Sequence, residues 1–229
     1  MKVSLVIPCY NETQNLPPLI DRCEELFSKH SIEVILVDNG STDNSSDVIS
    51  KYPFIKLVRV EENLGYGFGI IQGLKQASGD ILAWTHADLQ TNPSDLIKGL
   101  VYFKSSINPE KLFVKGKRKG RPIHDDIFTL AMSLFETLLL QTLMWDINAQ
   151  PTIFHKSFFE TWVNPPKDFS LDLYAYFMAK NSKIKVQRFP VSFSKRLHGV
   201  SNWNINLTGK YKFIKRTLSY SFMLKRKLG

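Results

Sequence analysis

The 229-residue chain is 43% hydrophobic and 22% charged, which is typical of one globular domain with a full core and excludes a low-complexity protein. Its two cysteines, Cys9 and Cys23, exclude a disulfide framework and a cysteine-rich zinc site, and favour a reduced compartment. Because the first residues run straight into a strand-like segment, we expect no signal peptide.

The net charge of +9 comes from the carboxyl end of the chain. Residues 173–229 contain 13 Lys or Arg and no Asp or Glu, which leaves 17 basic and 21 acidic residues elsewhere. No nucleic-acid recognition motif accompanies these cations, so we do not expect nucleic acid as a partner. Because aromatic and aliphatic residues are mixed with them, an anionic membrane surface is the preferred partner. A solvated basic tail is the alternative.

Strand and helix signals alternate along the first half of the chain. Strands are predicted at residues 2–7, 33–37, 55–60, 80–85 and 112–115. Helices are predicted at residues 13–28, 43–51, 67–77 and 94–103. This alternation predicts an α/β domain with a mostly parallel sheet and right-handed crossovers.

Two helical segments are predicted in the second half. Residues 127–145 carry a single charged side chain, Glu136, and favour a packed or membrane-facing helix over a transmembrane span. Residues 207–228 combine cations with a stripe of apolar side chains, which is typical of a basic amphipathic helix in a membrane interface. A helix packed on the sheet is the alternative for this second segment.

Polar clusters follow three of the predicted strands. They are Tyr10-Asn11-Glu12, the turn from Asp38 to Asp43, and His86-Ala87-Asp88. Ligands of such sheets bind beyond the carboxyl ends of the strands, so we expect these clusters to share one site.

Asp38 and Asp88 are the acidic candidates at these strand ends. A carboxylate at position 38 can accept hydrogen bonds from a nucleobase or ribose, although the residues after it also fit a simple turn and helix cap. Asp88 is the candidate ligand of Mg²⁺ or Mn²⁺, whose remaining ligands would be phosphate oxygens and water. His86 is either a further metal ligand or a hydrogen-bonding residue without metal contact.

Two basic segments are candidate phosphate sites. Residues 115–121 hold five cations and two glycines, which predicts a mobile loop that closes over phosphates, with Arg118 as the principal ligand. A solvated basic loop is the alternative. Residues 196–203 place Arg196 and Ser201 before the last helix, where they could bind a second anionic group.

Four segments together resemble glycosyltransferase family two. They are VSLVIPCYNE (3–12), EVILVDNGSTDNS (33–45), ENLGYGFGIIQGLKQASGDILAWTHADLQTNP (62–93) and RLHGVSNW (196–203). Within the family, the chain is most similar to the dolichyl-phosphate mannosyltransferases and the bacterial polyprenyl-phosphate glycosyltransferases. The resemblance implies an A-type glycosyltransferase fold, a nucleotide-sugar donor, a divalent cation and inversion at the anomeric carbon.

The resemblance also implies roles for individual residues. The residues implied to bind the nucleoside are Pro8, Tyr10, Glu12 and Asp38. Those implied to bind the metal are Asp88 and Gln90. Those implied to bind phosphate groups are Arg118, Arg196 and Ser201. Asp172 falls where the family has an acidic residue in a helix behind the sugar site, and it joins Asp88 and Arg118 as a catalytic candidate.

The chain departs from the family pattern at three places. His86 replaces the usual first aspartate, and Asn202 stands where a lysine often follows the serine. Residues 146–151 replace a Ser-Gly-Phe-like turn that usually lies against the sugar. These departures bear on the metal, on the acceptor phosphate and on the identity of the sugar, respectively.

Three functional hypotheses follow. The first is transfer from a GDP- or UDP-sugar to a polyprenyl phosphate, by a cytoplasmic protein held peripherally at the inner face of a membrane. The second is extension of a cell-surface glycan at a sugar hydroxyl, which needs Asp172 or Asp146 as a general base. The third is a non-catalytic protein that binds nucleotide sugars. We assign residues 1–203 to the catalytic domain and residues 204–229 to the amphipathic helix.

Overall fold

The computed structural model describes residues 1–198 and 207–228. Within these residues the strands are β1 (Val3–Cys9), β2 (Glu33–Asn39), β3 (Ile55–Val60), β4 (Ile81–Trp84), β5 (Leu112–Lys119), β6 (Thr152–His155) and β7 (Lys185–Ser192). The α-helices are α1 (Leu16–His30), α2 (Ser45–Ser50), α3 (Tyr66–Gln76), α4 (Asp95–Lys104), α5 (Ile123–Leu140), α6 (Lys156–Glu160), α7 (Leu171–Asn181) and α8 (Leu207–Leu228).

All the strands join one sheet in the order β3-β2-β1-β4-β6-β5-β7. Only β6 runs antiparallel to its neighbours β4 and β5. The carboxyl ends of the other strands therefore meet at one edge of the sheet, together with the turn that precedes β6. The predicted α/β class and the mostly parallel sheet are confirmed.

Helices cover both faces of the sheet and bury two apolar cores. On one face, α1 and α4 contribute Leu19 and Leu96 to a core with Leu5 and Leu36 of the sheet. On the other face, α3 and α7 pack Leu74 and Ala175 against aromatic residues such as Trp84, Phe113 and Phe154. Burial of both faces accounts for the nearly continuous apolar character of β1, β2 and β4.

The prediction of a mobile loop at residues 115–121 was wrong, whereas the phosphate-binding role of Arg118 stays a prediction. Strand β5 continues to Lys119 because it pairs with β7 along its whole length, from Leu112 opposite Lys185 to Lys119 opposite Ser192. Gly116 permits this path, since a Cβ there would lie 2.2 Å from the carbonyl oxygen of Gln150. Five cations in a short stretch suggested a solvated loop, but Lys115 among them is fully buried.

The last helix packs on α5. Ser221 and Leu224 of α8 are buried, and the ring of Phe222 lies 6.2 Å from that of Phe135 on α5. The Arg216 side chain adds an ion pair to Asp168 at 3.1 Å. Among the described residues, no helix has the length and apolar content to cross a membrane.

Candidate functional site

The loops after β1 and β2 are cross-linked at the sheet edge. Asp38, at the end of β2, is buried and accepts a hydrogen bond from the Ser41 amide at 3.0 Å. The Asn11 amide donates to Ser41 Oγ at 3.0 Å, and Asn11 Oδ1 accepts from the Thr42 amide at 2.8 Å. Gly40 makes the turn possible with φ of 74°, a left-handed conformation that favours glycine. Asp38 is thereby fixed beside the loop that carries Tyr10.

Glu12, predicted to bind the nucleoside, and Arg196, predicted to bind a phosphate of donor or acceptor, contact each other. Arg196 Nη2 donates a hydrogen bond to Glu12 Oε1, and the Arg196 Nε donates to the His198 carbonyl at 2.9 Å. Asn15 Nδ2 donates to the other oxygen of Glu12. Glu12 therefore neutralises Arg196 in this state. Ser201, predicted beside Arg196, lies outside the described residues.

Asp88 sits in a tight turn after β4. The Gln90 amide donates to Asp88 Oδ1 at 3.1 Å, and Leu89 between them adopts φ of 59° with its side chain buried. A left-handed leucine costs about 1–2 kcal/mol, so the burial of Leu89 and the hydrogen bond must hold the turn. Both fix the direction of the Asp88 carboxylate.

The segment after β7 connects three of the predicted residues. Ser194 exchanges two hydrogen bonds with Gln90, from its amide at 2.8 Å and from Gln90 Nε2 at 3.3 Å. The Phe193 ring lies 5.4 Å from the guanidinium of Arg118. With Arg196 on Glu12, this segment joins the ends of β1, β4 and β5.

The donor set around Asp88 fits a cation that takes most of its ligands from a substrate. Within residues 1–198 and 207–228 no group of three or more His, Cys, Asp or Glu side chains is placed to hold a metal. Within residues 1–198 and 207–228, the hydrogen bond to Asp88 is accepted by Oδ1 and none is made to Oδ2. One carboxylate oxygen with diphosphate and water oxygens suits Mg²⁺ or Mn²⁺.

Asp172 lies at the start of α7, buried behind the sheet edge. Its Oδ1 accepts hydrogen bonds from Lys115 Nζ at 3.0 Å and Gln150 Nε2 at 2.7 Å. Lys115 also donates to Thr152 Oγ1 at 2.6 Å. Burial lowers the pKa of Lys115 to about 8, against the opposing attraction of Asp172.

Asp146 is the counter-ion of Arg118. It accepts bonds from the amide of Arg118 at 2.9 Å and from Arg118 Nε at 2.7 Å, with Arg188 Nη2 at 3.7 Å. Burial opposes ionisation of Asp146, but the two guanidinium groups hold its pKa below the ordinary value. Arg118 is thus an oriented cation rather than part of a flexible loop.

An aromatic stack connects Asp172 with the turn that holds Asp88. The ring of Tyr66 lies 5.2 Å from that of His86 and 4.6 Å from that of Phe169. Burial, followed by the charge and hydrogen bond of Asp172, raises the pKa of Tyr66 well above its usual value.

Sequence reasoning missed Lys115, Gln150, Tyr66 and Arg188. The sequence signal for Lys115 was a single lysine in the apolar run of β5. The signal for Gln150 was the unusual turn at residues 146–151.

A small cleft lies beside Arg118. Side chains of α5, α7 and α8 line it, including Met132, Leu173 and Thr217. Its wall includes Glu136, which is buried and shares a 2.6 Å hydrogen bond with Ser221 Oγ. The cleft offers a mixed polar and apolar space next to the predicted phosphate ligand.

The structure is similar to that of glucosyl-3-phosphoglycerate synthase from Mycobacterium tuberculosis crystallised with Mn²⁺, UDP-glucose and phosphoglyceric acid. The TM-score is 0.76 at 14% identity, over 98% of this chain and 79% of that one. The same enzyme with Mg²⁺ and UDP gives a TM-score of 0.72 at 15% identity, over 98% of this chain and 79% of that one. At this identity the likeness shows the fold, and it confirms the predicted A-type glycosyltransferase fold.

The curated relatives include an undecaprenyl-phosphate 4-deoxy-4-formamido-L-arabinose transferase of Pseudomonas syringae pv. syringae, 38% identical over 104 residues, which are 41% of this chain and 30% of the relative. A dolichol-phosphate mannosyltransferase of Pyrococcus furiosus is 36% identical over 122 residues, which are 51% of this chain and 34% of the relative. The chain therefore spans about a third of the length of these relatives. The profile of Glycosyl transferase family 2 matches residues 4–162, and the chain belongs to this family.

Proposed function

We propose that this protein transfers a sugar from a nucleotide-sugar donor to the phosphate of a polyprenyl phosphate, with inversion at the anomeric carbon. Family membership and relatives named for undecaprenyl-phosphate and dolichol-phosphate transfer support this function. Since those relatives are about three times as long as the matched segment, the acceptor is argued from the site itself.

The main support for the proposal is that the two candidate general bases are both buried and paired with cations. Asp172 is 1% exposed and paired with Lys115, and Asp146 is 3% exposed and paired with Arg118 and Arg188. Neither carboxylate is free to take a proton from a sugar hydroxyl. A phosphate monoester is already ionised at neutral pH, with a charge of about −1.5 to −2, and needs no base.

The remaining polar groups suit the leaving group of an in-line displacement. Asp88 and Gln90 would hold Mg²⁺ or Mn²⁺ on the donor diphosphate, and the cation would stabilise the charge that develops there. We propose that Pro8, Tyr10, Glu12 and Asp38, at the carboxyl ends of β1 and β2, bind the nucleoside. Arg118 is oriented by Asp146 for a phosphate of donor or acceptor.

Arg196 has a conditional role. Its guanidinium is bound to Glu12. A diphosphate offers a stronger partner than one carboxylate, so we propose that Arg196 turns to the bound donor. Glu12 is then released for the nucleoside.

An exposed apolar stripe supports a membrane partner. Five aliphatic side chains on one side of α5 are between 49% and 79% exposed: Ile123, Ile127, Leu130, Leu134 and Leu138. The neighbouring α8 exposes Phe222 and Met223 with Lys225, Arg226 and Lys227. Contiguous apolar side chains flanked by cations suit an anionic bilayer surface. We propose peripheral attachment through this surface at the cytoplasmic inner face of a membrane.

The proposal is tested by offering the purified protein labelled UDP- and GDP-sugars together with polyprenyl phosphate in anionic vesicles. The expected result is label in the lipid extract, dependent on Mg²⁺ or Mn²⁺. Label in an added oligosaccharide and none in the lipid would overturn the proposal in favour of glycan extension.

A further inference from the structure

His86 stands where the family usually has a carboxylate, and its environment is unusual. The imidazole stacks on Tyr66 with an interplanar angle of 22°, and the other face of Tyr66 stacks on Phe169 at 9°. Neither ring nitrogen of His86 hydrogen-bonds to a described residue. Stacking on Tyr66 thus fixes the orientation of the His86 ring, and its two nitrogens have no partner among the described residues.

The stack is anchored away from the strand edge. The Tyr66 hydroxyl accepts a hydrogen bond from Gln150 Nε2 at 3.4 Å, and the same amide nitrogen donates to Asp172 Oδ1 at 2.7 Å. The segment that carries Phe169 is tied to α3 by a 2.8 Å hydrogen bond from the Phe68 amide to the Lys167 carbonyl. Two departures from the family pattern, His86 and the turn that contains Gln150, therefore belong to one connected unit.

We propose that Tyr66 is a positioning residue that fixes the His86 imidazole as a hydrogen-bond donor to the diphosphate of the nucleotide sugar. The inference rests on the proposed function. An imidazole in place of a carboxylate removes one negative charge beside a diphosphate, so the anion is repelled less. The site then retains part of its affinity for a nucleoside diphosphate when no divalent cation is present.

The test is calorimetric binding of GDP and UDP to the full chain, with Mn²⁺ and with a chelator. Tyr66→Leu removes the stack and should weaken binding about three- to tenfold in both conditions, since aromatic pairs contribute about 0.5–1.5 kcal/mol. Tyr66→Phe keeps the rings and should bind within about twofold of the unsubstituted protein. Tyr102→Leu, a half-buried ring on α4 paired with Phe189, is the matched control and should not change binding.

Turnover separates positioning from a general structural role. If Tyr66→Leu only loses the positioning of His86, the KM for the donor should rise by the same factor as the nucleotide Kd. The kcat should stay nearly unchanged, because ground state and transition state lose the same contact. A fold defect would instead lower kcat through the active fraction and lower Tm. If Tyr66→Leu fails to fold, Phe169→Leu, which removes the outer ring of the stack, carries the same test.

Three results would overturn the inference. They are unchanged nucleotide affinity in Tyr66→Leu, equal losses in Tyr66→Phe and Tyr66→Leu, and no binding by the unsubstituted protein once the divalent cation is chelated. If the unsubstituted protein binds neither nucleotide even with Mn²⁺, the proposed function fails as well, so the two failures are distinguishable.

Discussion

Lys115 and Asp172 form a buried ion pair. We expect the fold to be destabilised when either charge is removed alone and to tolerate the removal of both. Both side chains are essentially inaccessible, at 0% and 1% exposure, and their atoms are 3.0 Å apart. Removing one partner leaves an uncompensated buried charge, which costs about 3–5 kcal/mol. Asp172→Asn and Lys115→Met should each lower the free energy of unfolding by this amount.

The double variant should recover most of the loss. Met fills the space of the lysine stem, and Asn can still accept the Gln150 hydrogen bond, so we expect the double variant within about 1–2 kcal/mol of the unsubstituted protein. The coupling energy is then at least about 3 kcal/mol. Urea unfolding followed by circular dichroism measures it, provided that the m-values agree.

The difference in unfolding free energy between the unsubstituted protein and the double variant should depend on pH. Burial lowers the pKa of Lys115 from an ordinary 10.5 to about 8. Since the unfolded chain holds this proton to higher pH, unfolding takes up protons between these values, and native stability rises there. The unsubstituted protein should gain up to about 3 kcal/mol relative to the double variant as pH rises through this range.

Activity of the double variant tests whether Asp172 acts as a base or only positions its neighbours. If Asp172 only positions its neighbours, the refolded double variant should retain transfer within about tenfold. A base contributes about 10²–10⁴-fold, so a loss of that size with stability restored would show that Asp172 acts as a base. Additive single losses in unfolding energy would refute the buried-pair reasoning itself.

Three further predictions use other parts of the molecule. Burial raises the pKa of Glu136 from 4.5 to about 7, so native stability should fall as pH rises between these values, and thermal melts of Glu136→Gln should show a gain of about 1–3 kcal/mol above pH 7. Changing Lys225, Arg226 and Lys227 to Gln should lower the partition coefficient for anionic liposomes about a hundredfold at low salt, because each cation contributes about 1 kcal/mol. Sedimentation measures this coefficient, and partitioning to neutral liposomes should not change. His86→Asp should strengthen the Mn²⁺ dependence of nucleotide binding, because a carboxylate at position 86 repels the diphosphate when no cation is bound; unchanged Mn²⁺ titrations would contradict this.

The first four strands and their polar ends could be predicted from the sequence because the signals are local. Short apolar runs ending in Asp38 or in His86-Ala87-Asp88 specify a strand and the loop after it without long-range information. The parallel edge strand β7 and the end of β5 were missed, since both mix cations with apolar residues. Their stability comes from pairing with each other across about 70 residues of sequence.

The partners of the charged residues could not be predicted for the same reason. Arg118 looked like a free phosphate ligand, but its counter-ion Asp146 is 28 residues away in the chain. Asp172 looked like a candidate base until its ion pair with Lys115, 57 residues away, was visible. Stacking of His86 on Tyr66 likewise depends on how β4 and α3 pack, which no local pattern encodes.

Because both candidate bases, Asp172 and Asp146, are paired with cations, we expect the protein to need an acceptor that is already ionised. The most direct measurement compares transfer to a polyprenyl phosphate with transfer to the polyprenol of the same length, in the same vesicles and with the same donor. We predict product from the phosphate alone. Transfer to the polyprenol at a comparable rate would contradict the account, because a hydroxyl can react only if the site supplies a base.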